Sequence, residues 1–187
     1  PRTAAAAWTA ATLPAGGTWL DASQQHAWSE VRAAAVARVV APCDPAVLAR
    51  LRGSLDLAGP RNEPDAVVSR EVIAALGRCG GDDARAALTA LVADGAQGVE
   101  RRAEAARQLV DHHATAGADA VAAALRAAAD PAIGLRLVRA LQRAEPPASP
   151  AVRDALCAAA GQDQLAAAAR RALRDLAPDD ENPCAAR

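Results

Sequence analysis

The sequence contains no phenylalanine, tyrosine, methionine or lysine, and its three tryptophans all lie before residue 30. A core must therefore be built from alanine, leucine and valine. No segment alternates β-branched and polar residues over the length of a strand, which argues against a β-sheet. No run of roughly 18 uncharged apolar residues occurs, so no membrane-spanning helix is expected. Because alanine has the highest helix propensity of all residues, the composition predicts an all-α protein.

The sequence also lacks an excess of charge of either sign. The chain carries 21 arginines and 22 acidic residues, interspersed along its 187 residues, for a net charge of −1. Nucleic acids and anionic membranes are bound by one-sided basic surfaces. We therefore expect neither as a partner.

The sequence repeats itself. Its clearest unit, 64–95, has one apolar helix up to Leu76, a break at 77–81 and a second helix from Asp82. Leucines at one position of the first helices recur at intervals of 33, 32 and 32 residues, at Leu76, Leu109, Leu141 and Leu173. The second helices show intervals of 33, 33 and 31 residues, at Leu55, Leu88, Val121 and Val152. Such a period predicts stacked helical hairpins.

The unit 64–95 resembles the HEAT family, specifically the short bacterial PBS-lyase-like repeat D-x-x-V-R-x-x-A-x-x-A-L-G-x-x-G-x-x-x-A-x-x-x-L. The segment Asp130–Leu141 is the next good match. The resemblance implies a right-handed α-α superhelix, a HEAT-like solenoid of about four hairpins plus a C-terminal capping helix. The hairpins are predicted near 22–57, 64–95, 97–130 and 131–161, and the closing helix near 163–177.

The two ends depart from this pattern. Residues 1–21 are predicted to form an irregular capping segment, residues 22–177 the repeat domain, and residues 178–187 a C-terminal tail. The chain begins at Pro1 without an initiator methionine. Either a signal or transit segment was removed, or this is part of something longer.

Four cysteines predict two disulfides. Their connectivity cannot be read from the sequence, but Cys43 and Cys79 fall at the turns of successive hairpins, and Cys157 could take Cys184 and pin the tail. Two disulfides indicate an extracytoplasmic location, in the periplasm or at the cell exterior. The alternative is four free thiols in a cytoplasmic protein.

Several side chains are candidates for contacting a partner. Trp8 and Trp19 are expected either at an interface, where tryptophan is enriched, or in a cap on the first hairpin; Trp28 is expected to pack inside that hairpin. The second helices carry four arginines that would face an acidic partner across the concave face, or else simply lie in solvent: Arg50, Arg85, Arg126 and Arg153.

Two further patterns have structural explanations. Four arginines recur on the first helices and are expected to pair with acids of neighbouring turns, namely Arg70, Arg102, Arg136 and Arg170 with Asp94, Asp130 and Asp163. His112 and His113 fall at the turn of the third hairpin. They could in principle join cysteines of other turns at a zinc ion, but no ligand pair is preorganised, so we expect a polar turn and no metal.

No catalytic motif is evident. A diiron hydroxylase that acts on deoxyhypusine shares the repeat architecture and uses repeated His-Glu pairs, yet no His-Glu dipeptide occurs here. We therefore expect no enzyme and no cofactor, but a protein–protein interaction module, an accessory or scaffold subunit of a larger bacterial assembly. The alternative is a regulatory or lyase-type subunit that binds a small ligand or a cofactor-bearing protein in the concave groove.

Overall fold

The structure is a computed structural model that describes residues 26–178, 180, 183 and 184. Within these residues it contains helices and no strands, so the prediction of an all-α fold is confirmed. The helices are α1 (Ser29–Ala37), α2 (Pro45–Gly53), α3 (Ala66–Cys79), α4 (Gly81–Ala93), α5 (Val99–His112), α6 (Ala114–Ala127), α7 (Pro131–Leu141), α8 (Pro150–Ala160) and α9 (Asp163–Leu176). None of these helices is both long and apolar enough to cross a membrane.

The chain divides into two compact units, Pro1–Ala87 and Leu88–Arg187, with the boundary inside α4. In the first unit, α1 and α2 both pack against α3. The buried face of α3 is apolar and includes Val72, Ile73 and Leu76, which are at most 1% exposed. The Asp65 side chain caps this helix by accepting hydrogen bonds from the N–H groups of Val67 and Val68.

A disulfide between Cys43 and Cys79 links the turn before α2 to the end of α3. Next to it, Arg78 donates hydrogen bonds to the carbonyls of Val36, Ala37 and Val39 at the end of α1. A cation at a helix C-terminus satisfies carbonyls that have no partner within the helix. The end of α3 is thus fixed to α1 by hydrogen bonds and to the turn before α2 by a covalent bond.

The segment between α2 and α3 is held by a buried ion pair. The Arg32 guanidinium of α1 donates to both carboxylate oxygens of Glu63, at 2.8 and 3.0 Å. The same carboxylate accepts the N–H of Asp65, and the Glu63 backbone binds Ser54 and Ser69. The pKa of Arg32 is raised, chiefly by its hydrogen bond to Glu63. Glu63 therefore joins α1 to the start of α3.

The second unit has the two-layer packing of HEAT-like hairpins. The first helices of its hairpins form one layer, in which α5 packs on α7 and α7 on α9. The second helices form the other layer, in which α6 packs on α8. The leucines that defined the period, Leu109, Leu141 and Leu173, are at most 3% exposed. The repeat seen in the sequence is thus a repeat of core positions.

Within one hairpin, α5 and α6 approach each other closely at Gly117. A Cβ atom on Gly117 would lie 2.0 Å from the carbonyl oxygen of Leu109. Only a residue without a side chain fits between these two backbones. Gly117 therefore sets the spacing of this hairpin.

The last hairpin is bound to the C-terminal segment at three places. Cys157 of α8 forms a disulfide with Cys184, and Arg153 lies 3.7 Å from the Asp180 carboxylate. In addition, the N–H of Ala148, just before α8, donates to the carbonyl of Leu176 at the end of α9. Both ends of α8 are thereby attached to the segment that follows the repeats.

Two expectations about side chains need correction. Trp28 is 43% exposed rather than packed inside the first hairpin, and its ring lies edge-on to His26. Two of the acids expected to pair with the repeated arginines act as local turn and helix caps instead, since Asp94 accepts from Ala96 and Asp130 from Ala132. Of the arginines, Arg136 binds Glu100 at 2.7 Å and Arg102 donates to the carbonyl of Val92.

Candidate functional site

A pocket of about 380 Å³ lies in the second unit between two interhelix turns. One wall comes from the α5–α6 turn and the other from the segment that connects α7 to α8. Its apolar lining includes four buried side chains, at most 8% exposed: Val110, Ala118, Ala148 and Val152. Its charged or titratable lining consists of Asp111, His112, Arg143 and Glu145. An apolar pocket with a few polar groups is typical of small-ligand sites.

The Asp111 carboxylate lies at the centre of a cluster of charged side chains beside the pocket. It accepts two hydrogen bonds from Arg143, at 2.8 Å from Nε and 3.0 Å from Nη2. It also accepts one from Nη1 of Arg107 at 3.1 Å, and Arg107 in turn binds Glu104. Two arginines and two acids therefore form a neutral cluster. The bidentate geometry fixes the orientation of the Arg143 guanidinium at the pocket.

These contacts shift the pKa values of both arginines. The pKa of Arg143 is raised, chiefly because its charged form donates hydrogen bonds to Asp111 and is attracted by that carboxylate. The pKa of Arg107 is raised mainly by its hydrogen bond to Glu104. Both guanidinium groups are thus permanently charged at any pH at which the protein is folded.

The opposite wall is held by a hydroxyl–carboxylate contact. The Ser149 hydroxyl donates to Asp119 of α6 at 2.5 Å and accepts the N–H of Val152, so it also caps α8.

At the α5–α6 turn, Ala114 has a φ of 45°, a left-handed conformation that is costly for a residue other than glycine. Strained backbone of this kind is concentrated at functional sites.

His112 and Glu145 differ from the charged groups around them. In the part of the chain that the structure describes, neither side chain has a hydrogen-bond or ion-pair partner, and both are exposed at the pocket. The Nη1 group of Arg143 likewise makes no hydrogen bond to a described residue. These three groups are therefore available to a bound molecule.

The residues predicted to contact a partner are not brought together at this pocket. Trp8 and Trp19 lie outside the described residues. Arg85 pairs with Asp82 at 3.0 Å, Arg126 donates to the carbonyl of Ala151, and Arg153 pairs with Asp180. Arg50 also takes part in an interaction within the protein. That these side chains contact a partner stays a prediction.

The predicted cysteine pairing is confirmed. The Cα atoms are 5.2 Å apart in the pair Cys43–Cys79 and 5.5 Å apart in the pair Cys157–Cys184, and both pairs are bonded. Sequence reasoning missed Asp111, Arg143 and Glu145 and treated His112 only as part of a polar turn. A signal was present, because Asp111 and Arg143 have opposite charges and lie one repeat apart.

No protein-family model matches the chain, and no curated protein matches its sequence. Among solved structures, human deoxyhypusine hydroxylase in complex with glycerol is similar, with a TM-score of 0.55 and 22% identity. The similarity covers 91% of this chain and 65% of the hydroxylase chain, so this chain spans less than two thirds of that protein. The similarity supports the HEAT-like helical fold.

The residues of this chain do not fit a diiron centre of the kind found in that hydroxylase. The histidines of this chain are His26, His112 and His113. Within residues 26–178, 180, 183 and 184, no three His, Cys, Asp or Glu side chains form a group that could hold a metal ion. We derive no step of chemistry through such a centre.

The same comparison corrects two predictions. The chain was expected to be a non-catalytic scaffold and not an enzyme, because no catalytic motif was found in the sequence. Human deoxyhypusine hydroxylase, which has a similar fold, is an enzyme, and this contradicts both expectations. The alternative of a subunit with a ligand in the concave groove is no better supported, since the described pocket lies between interhelix turns.

Proposed function

We propose that this chain is a HEAT-like enzyme that binds a small polar molecule in the pocket between the α5–α6 and α7–α8 turns. There it transfers a proton to or from the bound molecule. One observation carries the proposal: His112 and Glu145 face a pocket whose other charges, Asp111 and Arg143, are already paired. Unpaired titratable groups beside a fixed cation form an arrangement suited to acid–base chemistry.

Each group has a distinct part in this proposal. The His112 imidazole donates the proton to the bound molecule or accepts it from that molecule. The Arg143 guanidinium is held by Asp111, so it stabilises negative charge on the bound molecule without having to reorient. The Glu145 carboxylate binds a positive group or takes a second proton. The apolar side chains of Val110 and Val152 shield the reacting atoms from water.

The fold supports a catalytic role only in general terms. The enzyme human deoxyhypusine hydroxylase has a similar fold, which is consistent with a catalytic role for a HEAT-like chain. We do not propose hydroxylation for this chain, because no group of side chains among the described residues could hold a metal ion. Function on a shared fold depends on the site.

The test is a search for turnover without a preselected substrate. Purified protein is incubated with a small-molecule extract, and mass spectrometry records which compounds are consumed or formed. We expect at least one compound to change with the wild-type protein and with Glu100→Gln, which alters an exposed acid of α5 outside the pocket lining. We expect His112→Asn to abolish that change. An extract that stays unchanged, or equal turnover by His112→Asn, would refute the proposal.

Four other features of the chain remain proposals. These are the PBS-lyase-like type of its repeats, its division at residues 21 and 177, a protein partner contacted through the tryptophans and arginines named above, and an extracytoplasmic location. The two disulfides favour an oxidising compartment. Alkylation of the native protein without reductant tests the last point, since four reactive thiols would contradict it.

A further inference from the structure

We infer that the ligand of this pocket is a small zwitterion with an apolar side chain, the chemical class of free apolar amino acids. The inference rests on the proposed function for the location of the site and adds the identity of the bound class. It depends on three features of the pocket: where a negative group binds, where a positive group binds, and what lies between them.

A negative group of the ligand would bind Arg143. Its Nε and Nη2 atoms are held by Asp111, which leaves Nη1 directed away from that bond and without a described partner. Asp111 also accepts from Arg107, so this carboxylate is shared between two guanidinium groups. The Arg143 side chain is 52% exposed, so it is accessible from the pocket. A carboxylate is the natural partner of a guanidinium fixed in this way.

A positive group would bind Glu145. The charges of Glu104, Arg107, Asp111 and Arg143 cancel, so the pocket keeps one net negative charge, that of Glu145. A ligand with only a negative charge would leave Glu145 without a partner, and one with only a positive charge would leave Nη1 of Arg143 without one. A molecule with both charges satisfies both groups.

The remaining lining suits a small apolar side chain. Val110, Ala118, Ala148 and Val152 provide an apolar surface at the pocket. The volume of about 380 Å³ lies at the lower end of the range of roughly 300–1000 Å³ for small-ligand sites. A single amino acid therefore fits within the site.

The experiment compares L-leucine with two derivatives that each lack one charge, N-acetyl-L-leucine and L-leucinamide. Binding is followed by isothermal titration and by NMR shifts of the backbone amides of residues 110–118 and 143–152. With the wild-type protein, we expect each derivative to bind at least about tenfold more weakly than leucine, since each loses a charged hydrogen bond.

The variants assign each charge to its residue. Arg143→Gln should weaken leucine about tenfold and leave leucinamide unchanged; Glu145→Gln should weaken leucine and leave N-acetyl-leucine unchanged. Binding of the insensitive derivative in the same sample shows that the variant is folded. The control Arg136→Gln breaks the ion pair between Arg136 of α7 and Glu100 of α5. It should change neither the affinity for leucine nor that for its derivatives.

The outcomes separate this inference from the proposed function. If neither leucine nor valine binds while turnover of another compound depends on His112, the zwitterion inference is wrong and the enzyme proposal stands. If leucine binds with the expected charge pattern but no extract compound is turned over, the ligand class stands and the enzyme proposal is wrong. Derivatives that bind as well as leucine would refute the inference outright.

Discussion

Replacing Glu63 with glutamine should cost about 2–3 kcal/mol of unfolding free energy, because the carboxylate is buried against Arg32. Side chains of the pair are 8% and 14% exposed, and both carboxylate oxygens accept from the guanidinium. Removing one partner of a fully buried ion pair costs about 3–5 kcal/mol. Glutamine keeps one acceptor oxygen, and Arg32 keeps its bonds to the carbonyls of His26 and Ala27, so the expected loss lies at or just below the lower end of that range.

Urea unfolding followed by far-ultraviolet circular dichroism measures the loss, with the disulfides left intact. A loss of this size corresponds to a fall in melting temperature of roughly 4–12 °C for a chain of this length. Hydrogen exchange at the Glu63 amide, which donates to Ser54, reports the same change locally. Exchange there should become faster by a factor of about 30–150, the equivalent of 2–3 kcal/mol.

Two further variants decide whether charge is the cause. Asp175→Asn removes an exposed partner of Arg171 and should change stability by at most about 0.5 kcal/mol. The double variant Arg32→Met with Glu63→Leu replaces both charges with apolar groups and should recover most of the loss. If Glu63→Gln is as mild as Asp175→Asn, Glu63 does not anchor the segment between α2 and α3, and this reasoning is wrong.

Three other predictions concern single features. The pKa of Asp65 lies below its ordinary value, chiefly because the backbone N–H of Val68 donates a hydrogen bond to its carboxylate. Its contribution to stability is therefore complete above about pH 4 and is lost as the pH falls through the lowered pKa. Asp65→Asn should make the melting temperature depend less on pH between about pH 4 and 2. Gly117→Ala should destabilise by about 1–3 kcal/mol because its Cβ would meet the Leu109 carbonyl, whereas Gly95→Ala, with no atom within 4 Å, should be nearly neutral in urea titrations. Replacing Cys157 and Cys184 with serine should lower stability by up to about 3 kcal/mol, given 27 residues of separation, and an unchanged unfolding midpoint would show that the bridge restrains nothing.

The helices and their repeat could be predicted from the sequence because burial recurs with the period. Leu76, Leu109 and Leu141 occupy one position of successive first helices, and each is at most 1% exposed. A residue that must be apolar in every hairpin leaves a regular trace in the sequence. The sequence indicated two disulfides and placed Cys43 and Cys79 at turns one repeat apart, but it did not determine which cysteines pair, and Cys184 lies outside the repeats.

The charged residues of the pocket could not be predicted in the same way, because they lie at helix ends and in connecting segments rather than at the repeated core positions. Arg143 and Asp111 meet only because α5 and α7 stack, and turn residues such as Glu145 carry no period. The repeated arginines were matched with the wrong acids for a local reason. Asp94 and Asp130 each accept a hydrogen bond from the backbone N–H two residues further along the chain, so their carboxylates bind locally rather than to a neighbouring helix.

The function was mispredicted because the sequence contains no known catalytic motif, and the lack of a motif was taken to indicate a scaffold. A stack of hairpins explains why Leu137 and Leu156 are buried, but the same packing leaves the turn residues unconstrained. Those residues decide what the protein binds. The structural similarity to an enzyme shows that a HEAT-like fold alone does not indicate a scaffold.

The attachments of α8 bear on how the second unit unfolds. In a stack where each hairpin touches only its neighbours, the terminal hairpin has half the contacts and frays first. Here the Cys157–Cys184 bond and the hydrogen bond from Ala148 to Leu176 join the last hairpin to the segment beyond it. Oxidised protein should therefore melt in one cooperative step across α5–α9. Reduced protein should lose α8 and α9 first, and with them the wall of the pocket that carries Ala148 and Ser149, so that the thiol state of one bond decides whether the site persists near the melting temperature.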